Sequence, residues 1–304
     1  MSWSASDLRS ELGAARVVLR ENVDLAPMTH VRIGGPARVV IEPYDAESAA
    51  VVVRVCREME LPLVAIGGGS NLLVSDDGWP GVVLLLSSLN RIVRDKACIA
   101  AGAGVTLPGL LRASREVGLA GLEVLCGIPA VVGGAVAMNA GTRDGETFDR
   151  IVSVTTVTEH GEIVDLERSA LSPSYRDGGL DGSVVLQAVF ELYEDDPAQI
   201  FERFQRSLRR RNITQPVTEK SVGCVFKNPG PKPAGQLIEE SGCKLLRRGN
   251  VSVSGKHANY FVNEGDGTCA DFLALIAAVK ERVQERCGVE LTPEVKTLGL
   301  APLQ

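Results

Sequence analysis

The chain is 304 residues long, 45% hydrophobic and 23% charged, which suits two or three folded domains and excludes a largely disordered protein. Its formal net charge of -6 counts against a general nucleic-acid binder, which needs a basic surface. No apolar run reaches the 18 or so residues of a membrane-spanning helix, and the charged N-terminus lacks the apolar region of a secretory signal. The seven cysteines include no CxxC pair, so thiols in a reducing cytoplasm are expected rather than a disulfide framework. None of the three histidines has metal-ligand spacing to a Cys or another His, so no metal site is expected.

In chain order, Leu8, Leu12, Ala15 and Leu19 have helical spacing over residues 5–20. A strand-like segment from Val31 to Ile41 contains the turn Gly34-Gly35-Pro36. Residues 46–60 read as a helix with Ala49, Val52, Val53 and Cys56 on one side. Short strands follow at 63–66, 72–74 and 82–86, then a strand at 98–105 and a helix at 107–117 that stops at Gly118. Residues 126–146 are too rich in Gly and small residues for a self-supporting helix. Strands return at 151–158, 162–166 and 184–193. A helix over 197–211 carries Arg203, Arg206, Arg209, Arg210 and Arg211, and its arginine run reads as a solvated face. The last third holds a helical stretch near 235–241, strands near Val251 and Tyr260, a strong amphipathic helix over 270–286 and the strand-like VELTPEVKTLG. No internal repeat occurs. Strands and helices intermix, which points to an α+β fold of at least two lobes with a boundary near Asp195-Asp196-Pro197.

Two glycine-rich segments could hold a phosphate or an extended ligand. IGGGSNLL, with Gly67, Gly68, Gly69, Ser70 and Asn71, follows a strand, and its successive N–H groups can form an anion nest. A simple tight turn is the alternative. GIPAVVGGAVAMNAG runs from Gly127 through Ile128, Pro129, Gly133, Gly134, Ala135, Met138, Asn139 and Ala140 to Gly141. It can wrap a flat ligand or serve close packing. The GxGxxG fingerprint fails at Leu107, and a P-loop fails because His257 follows Gly255-Lys256.

THVRIGGPARVVIEP, AIGGGSNLLVSDDGWPGVVL, GIPAVVGGAVAMNAG, SVGCVFKNP, GKHANYFVN and LTPEVKTLG occur in that order. Together, over roughly residues 22–299, they resemble the UDP-N-acetylenolpyruvoylglucosamine reductase family, in its shorter type. The resemblance implies a vanillyl-alcohol-oxidase-type FAD-binding fold of two α+β subdomains, at 1–87 (with the N-terminal helix) and 88–195. It also implies a C-terminal α+β substrate domain at 196–304. It further implies noncovalent FAD, NADPH as co-substrate, UDP-N-acetylglucosamine enolpyruvate as substrate and a cytoplasmic place in peptidoglycan precursor synthesis. Neither nucleic acid nor membrane is implied, and no protein partner is inferable. His30 and Cys126 read as structural rather than as covalent flavin attachments. Two rival readings stay open: another flavin oxidoreductase of this fold acting on a small alcohol or hydroxy acid, and a nucleotide-sugar binder without turnover.

Hydride addition to an enolpyruvyl double bond leaves negative charge beside the carboxylate, which needs electrostatic stabilisation and then a proton. By resemblance, Arg176 supplies the guanidinium fork for that charge, with Tyr175 beside it as a substrate contact. A surface Arg paired with Asp177 is the alternative. Cys224 stands where the family usually carries a proton-donating Ser. A thiol of reference pKa about 8.5 is mostly protonated at neutral pH and is a stronger acid than an alcohol, although a small core Cys would look the same. Glu294 matches the family's C-terminal glutamate, and could act as an acid, fix a water or be a plain strand carboxylate. Lys227 and Asn228 are candidates for the substrate's carboxylate or diphosphate, or else turn residues ahead of Pro229.

Overall fold

The computed structural model describes residues 3–301. The chain divides into two compact units, each assembled from separate stretches. The first comprises the chain up to Glu21, Arg38–Gly68 and Gly81–Arg210, and the second Asn22–Ala37, Gly69–Pro80 and Arg211 onward.

The first unit contains a five-stranded antiparallel sheet in the order Ile163–Glu167, Ile151–Val157, Val184–Glu191, Cys98–Gly102, Ile92–Asp95. Its buried face packs with the helix Leu107–Glu116 in a core that includes Ile99, Leu107, Leu110, Val154 and Phe190. Thr106 caps this helix by accepting from Gly109 N, and Gly118, at φ 68, follows its end. A four-stranded sheet contains Val17–Asp24, Pro36–Pro43, Trp79–Leu85 and Leu63–Ile66, the last two parallel. The helix Ala46–Glu58 buries Ala49, Val52, Val53 and Cys56 with Val39, Ile41, Val82 and Leu84. Burial pushes the Cys56 thiol up to about 12, so it stays protonated and behaves as a small apolar side chain.

The second unit contains an antiparallel sheet in the order Ser221–Cys224, Tyr260–Asn263, Val251–Val253, Arg247–Arg248. The helix Cys269–Cys287 packs with it through Phe272, whose ring lies 5.5 Å from Phe261, itself edge-on to Phe226 at 5.9 Å. Thr268 and Asp271 form a capping box at this helix, the Asp76 carboxylate accepts from Cys269 N and Ala270 N, and Gly288 ends it in the left-handed region. These devices satisfy backbone groups that the helix ends leave open. Leu72–Val74 pairs parallel with Lys296–Leu298.

Four elements differ from the sequence reading, the first being the stretch Val31–Ile41, which is strand only from Pro36, past the Gly34-Gly35 turn. The first helix stops at Leu12, capped by Gly13 at φ 54, and Val17–Asp24 is a strand. The helical spacing of Ala15 and Leu19 is overridden because the glycine ends the helix and the β-branched Val17 and Val18 suit a ladder. Residues 126–146 contain a short helix, Val132–Ala137, held by packing rather than propensity. Of the terminal strand-like stretch, Lys296–Leu298 is strand. None of the seven cysteines is in a disulfide, and no described helix is long and apolar enough to cross a membrane.

Candidate flavin and substrate site

In the first unit the strand Leu63–Ile66 runs into Gly67 and Gly68, which lie against the second glycine-rich segment. A Cβ on Gly67 would sit 3.0 Å from Val131 Cγ2 and 3.5 Å from Gly134 Cα, and one on Gly68 would sit 3.3 Å from the Pro129 carbonyl. Two stretches predicted to bind the same cofactor therefore pack closely together, with little room for a side chain at either glycine. Three hydrogen bonds position the second stretch: Leu107 N to Ala130 O, Val132 N to Val105 O and Gly133 N to Ala103 O, at 2.8–2.9 Å. Gly127, at φ 79, supplies the turn that enters it. Gly134 differs from these neighbours, because a Cβ added there would meet nothing within 4 Å. A half-buried glycine with open space where a side chain would stand fits a flat cofactor lying against main chain, so the residues present suit the FAD implied by the sequence.

Other predicted cofactor residues contribute differently. Ala135 is fully buried in the core and supports the segment from behind, while Ile128 and Met138 are half-buried. The Ala140 carbonyl accepts from Thr147 N and Oγ1. Asn139 is 2% exposed and has φ 39. Its Nδ2 donates to Glu146 Oε2 at 2.7 Å and to the Ser174 carbonyl at 3.1 Å, and its Oδ1 accepts from Phe148 N at 3.3 Å. Both amide protons are thus used inside the protein, and Asn139 acts as a strut between this segment and the Ser174–Asp177 turn.

That turn carries Tyr175 and Arg176. Ser174 and Asp177 exchange two backbone hydrogen bonds, and Arg176 at its tip is held at φ 62. A non-glycine residue in this region is strained, which is typical of functional positions. The Arg176 guanidinium lies 4.6 Å from the Tyr175 ring centre and donates to Gly141 O at 3.3 Å. Gly178 N bonds Ala137 O at 3.0 Å, docking the turn on the short helix. The structure therefore ties the predicted substrate arginine to the end of the predicted flavin segment. Cys126 is buried and donates to the Phe204 carbonyl.

In the second unit Gly69, at φ 63, packs so tightly on the Met28 carbonyl that a Cβ would collide with it. The half-buried Ser70 follows, and Asn71 donates to the Glu294 carbonyl at 3.2 Å. Cys224 ends its strand directly opposite Tyr260, after a register shift at Gly223, φ 78. Such a bulge re-aims the next side chain. The segment around Glu294 joins the same sheet edge: Glu294 N bonds Val225 O at 2.7 Å, and Lys227 N bonds Thr292 O at 2.9 Å. Asn259 braces this edge by bonding both backbone groups of Phe226. Glu294 is 9% exposed. The predicted donor and the predicted glutamate converge on the Tyr260 hydroxyl. Burial foremost, then the charge of Cys224, push that hydroxyl's acidity well below its usual range; Glu294 acts the same way and Arg211 opposes. Lys227 is half-buried, and Asn228 Oδ1 accepts from Ala234 N at 2.9 Å, serving the start of the helix Ala234–Glu240.

Tyr260, Gln215 and Arg211 were missed by the sequence reading. The arginine run is a solvated face at Arg206, which pairs with Glu202 one turn away. It is not one at Arg211, whose Nε is buried without a hydrogen-bond partner among the described residues. The only hint in the sequence was a polar ring inside the apolar run of GKHANYFVN.

Residues 37–167 match the family described as FAD binding domain, and residues 215–298 match UDP-N-acetylenolpyruvoylglucosamine reductase, C-terminal domain. The UDP-N-acetylenolpyruvoylglucosamine reductase of Synechococcus sp. (strain WH7803) is 41% identical over 93% of this chain and 94% of its own length. That of Bradyrhizobium sp. (strain ORS 278) is 37% identical over 97% and 96%. The crystal structure of UDP-N-acetylenolpyruvylglucosamine reductase from Thermus caldophilus superposes with a TM-score of 0.79 at 36% identity, covering 93% of this chain and 99% of that one. Berberine bridge enzyme superposes at 0.51 with 20% identity over 64% of this chain and 45% of its own, a likeness of fold alone. The fold is the α+β, vanillyl-alcohol-oxidase-type FAD-binding fold followed by the reductase C-terminal domain. With relatives of this identity aligned along nearly their whole length, the chain belongs to the UDP-N-acetylenolpyruvoylglucosamine reductase family.

Proposed function

We propose that this chain reduces UDP-N-acetylglucosamine enolpyruvate to UDP-N-acetylmuramate, with noncovalent FAD and NADPH, in the cytoplasmic synthesis of peptidoglycan precursors. The observation that carries the reading, beside family membership, is the meeting of Cys224 and Glu294 at one sheet edge around Tyr260. FAD, when bound, would supply two-electron redox chemistry linking NADPH to the enolpyruvyl double bond. The protein's task is then electrostatic. Negative charge spreads from the adjacent carbon into the carboxylate, and the Arg176 fork holds that enediolate. The Cys224 thiol gives its proton to the carbon bearing the ether oxygen, which completes the lactyl group. Glu294 orients the donor or a water beside it, and Tyr175, Lys227 and Asn228 bind the substrate's anionic parts. Gly67 to Asn71 and Gly127 to Gly141 hold FAD chiefly through main chain.

The reading treats Cys224 as a replacement for the family's usual Ser, in a member of the shorter type. It assigns residues 1–87 and 88–195 to flavin binding and 196–304 to substrate binding. The deciding experiment mixes NADPH-reduced protein anaerobically with the enolpyruvyl substrate and follows flavin absorbance and lactyl product. Stoichiometric reoxidation with product is expected. Flavin that stays reduced would leave a nucleotide-sugar binder, and reoxidation only by a small carbonyl compound would move the activity to a different oxidoreductase.

A further inference from the structure

Tyr260 has a place in this site that no motif assigned. It lies directly opposite Cys224 in the ladder, and its side chain is 7% exposed. The hydroxyl donates to Gln215 Oε1 at 3.0 Å. Its ring is fixed by His257, packed edge-on at 4.9 Å, whose own Nδ1 accepts from Asn259 N at 3.3 Å. The Cys224 side chain is hydrogen-bonded to the same hydroxyl, and Glu294 and Arg211 face it from the terminal segment and from the helix Pro197–Thr214. A phenylalanine would fill the same volume, so the hydroxyl is not needed for packing. Burial keeps it protonated at any working pH, so it is always able to donate.

We infer that Tyr260 is a positioning residue for the Cys224 donor, accepting from the thiol at rest and donating to the thiolate left when the proton moves. This rests on the proposed role of Cys224. In that step the S–H bond breaks and its electron pair stays on sulfur, while the enediolate's pair forms the new C–H bond. Rotation about the tyrosine C–O bond turns the hydroxyl proton from Gln215 to the sulfur, and water later returns a proton to the thiolate. A hydrogen bond to a charged sulfur lowers the cost of forming it, which makes the thiol a better acid.

The test uses Tyr260→Phe holoenzyme. The rate of Cys224 alkylation by iodoacetamide is followed against pH, with the modified residue located by mass spectrometry. The alkylation midpoint should rise by about 1–2 pH units, and the substrate half-reaction should slow roughly 10- to 100-fold, the scale of one hydrogen bond to a charged group. Reduction by NADPH should be unchanged. Gln215→Met keeps the hydroxyl but removes its competing acceptor, so its midpoint should not rise, and this variant covers the case in which Tyr260→Phe folds poorly. In a Cys224→Ser background, Tyr260→Phe should leave the alkylation of every remaining cysteine unaltered. An unchanged midpoint in Tyr260→Phe, or an equal rise in Gln215→Met, overturns the inference alone. A native substrate half-reaction in Cys224→Ala overturns the donor reading and this inference with it.

Discussion

Replacing Gly134 with alanine sets apoprotein stability against flavin affinity. A methyl placed there meets no atom within 4 Å, so it costs nothing in the protein itself. The residue is inside the helix Val132–Ala137, where alanine is favoured over glycine by about 1 kcal/mol. For a chain of this size that raises the apoprotein melting temperature by roughly 2 °C. If the cofactor lies against this open face, the same methyl occupies space it needs. Overpacking of that kind costs about 1–3 kcal/mol, which weakens FAD binding by roughly 5- to 150-fold. Gly133→Ala is the control, since its Cβ would sit 3.0 Å from Ala103 Cβ and 3.3 Å from the Ala103 carbonyl. It should lower apoprotein stability as well as affinity. Thermal unfolding of apoprotein and titration with FAD, followed by quenching of flavin fluorescence, measure both quantities. A Gly134→Ala protein that is more stable and binds FAD within twofold of native would show that the flavin does not rest on this face.

Arg176→Ala and Glu294→Gln should slow the substrate half-reaction by on the order of 10²-fold or more and leave reduction by NADPH nearly unchanged, because charge develops on substrate carbon only in the second half. Stopped-flow separation of the halves tests this, and equal losses in both would indicate general damage. Acid precipitation should release all yellow colour into the supernatant; flavin retained by the fully denatured pellet would refute noncovalent binding. Burial foremost lowers the His257 pKa below its usual 6.5, and burial followed by Arg32 lowers that of His30. The folded protein therefore binds fewer protons than the unfolded chain below pH 6.5. Stability contributed by these neutral rings is complete above that pH and is lost as pH falls toward their folded pKa values. Denaturant midpoints should fall between about pH 6.5 and 5, and His257→Gln should flatten the slope; an identical slope in the variant would exclude His257 as a source.

The sequence alone determined features set by a few neighbouring residues. The helices Ala46–Glu58, Leu107–Glu116 and Cys269–Cys287 were legible because their apolar residues recur at helical spacing, and Gly118 marks where the second stops. The flavin segments were legible because runs of glycine are costly unless a ligand or another backbone comes close. Only tertiary structure decided that Val17–Asp24 pairs in a sheet, since its spacing equally suited a helix continuing past Gly13. Only packing made a helix of Val132–Ala137, against its glycine content. That the Asn139 side chain braces two other places, the turn holding Glu146 and Phe148 and the more distant Ser174, was equally invisible in the sequence. The Cys224 environment was hidden for the same reason. Gly223 bulges the strand, Tyr260 comes opposite by sheet register, and Glu294 is delivered by backbone bonds to Val225. Burial of the Arg211 Nε, in a run that reads as solvated, likewise follows from long-range packing. Register and long-range pairing depend on the summed packing of the fold, and no local pattern encodes them.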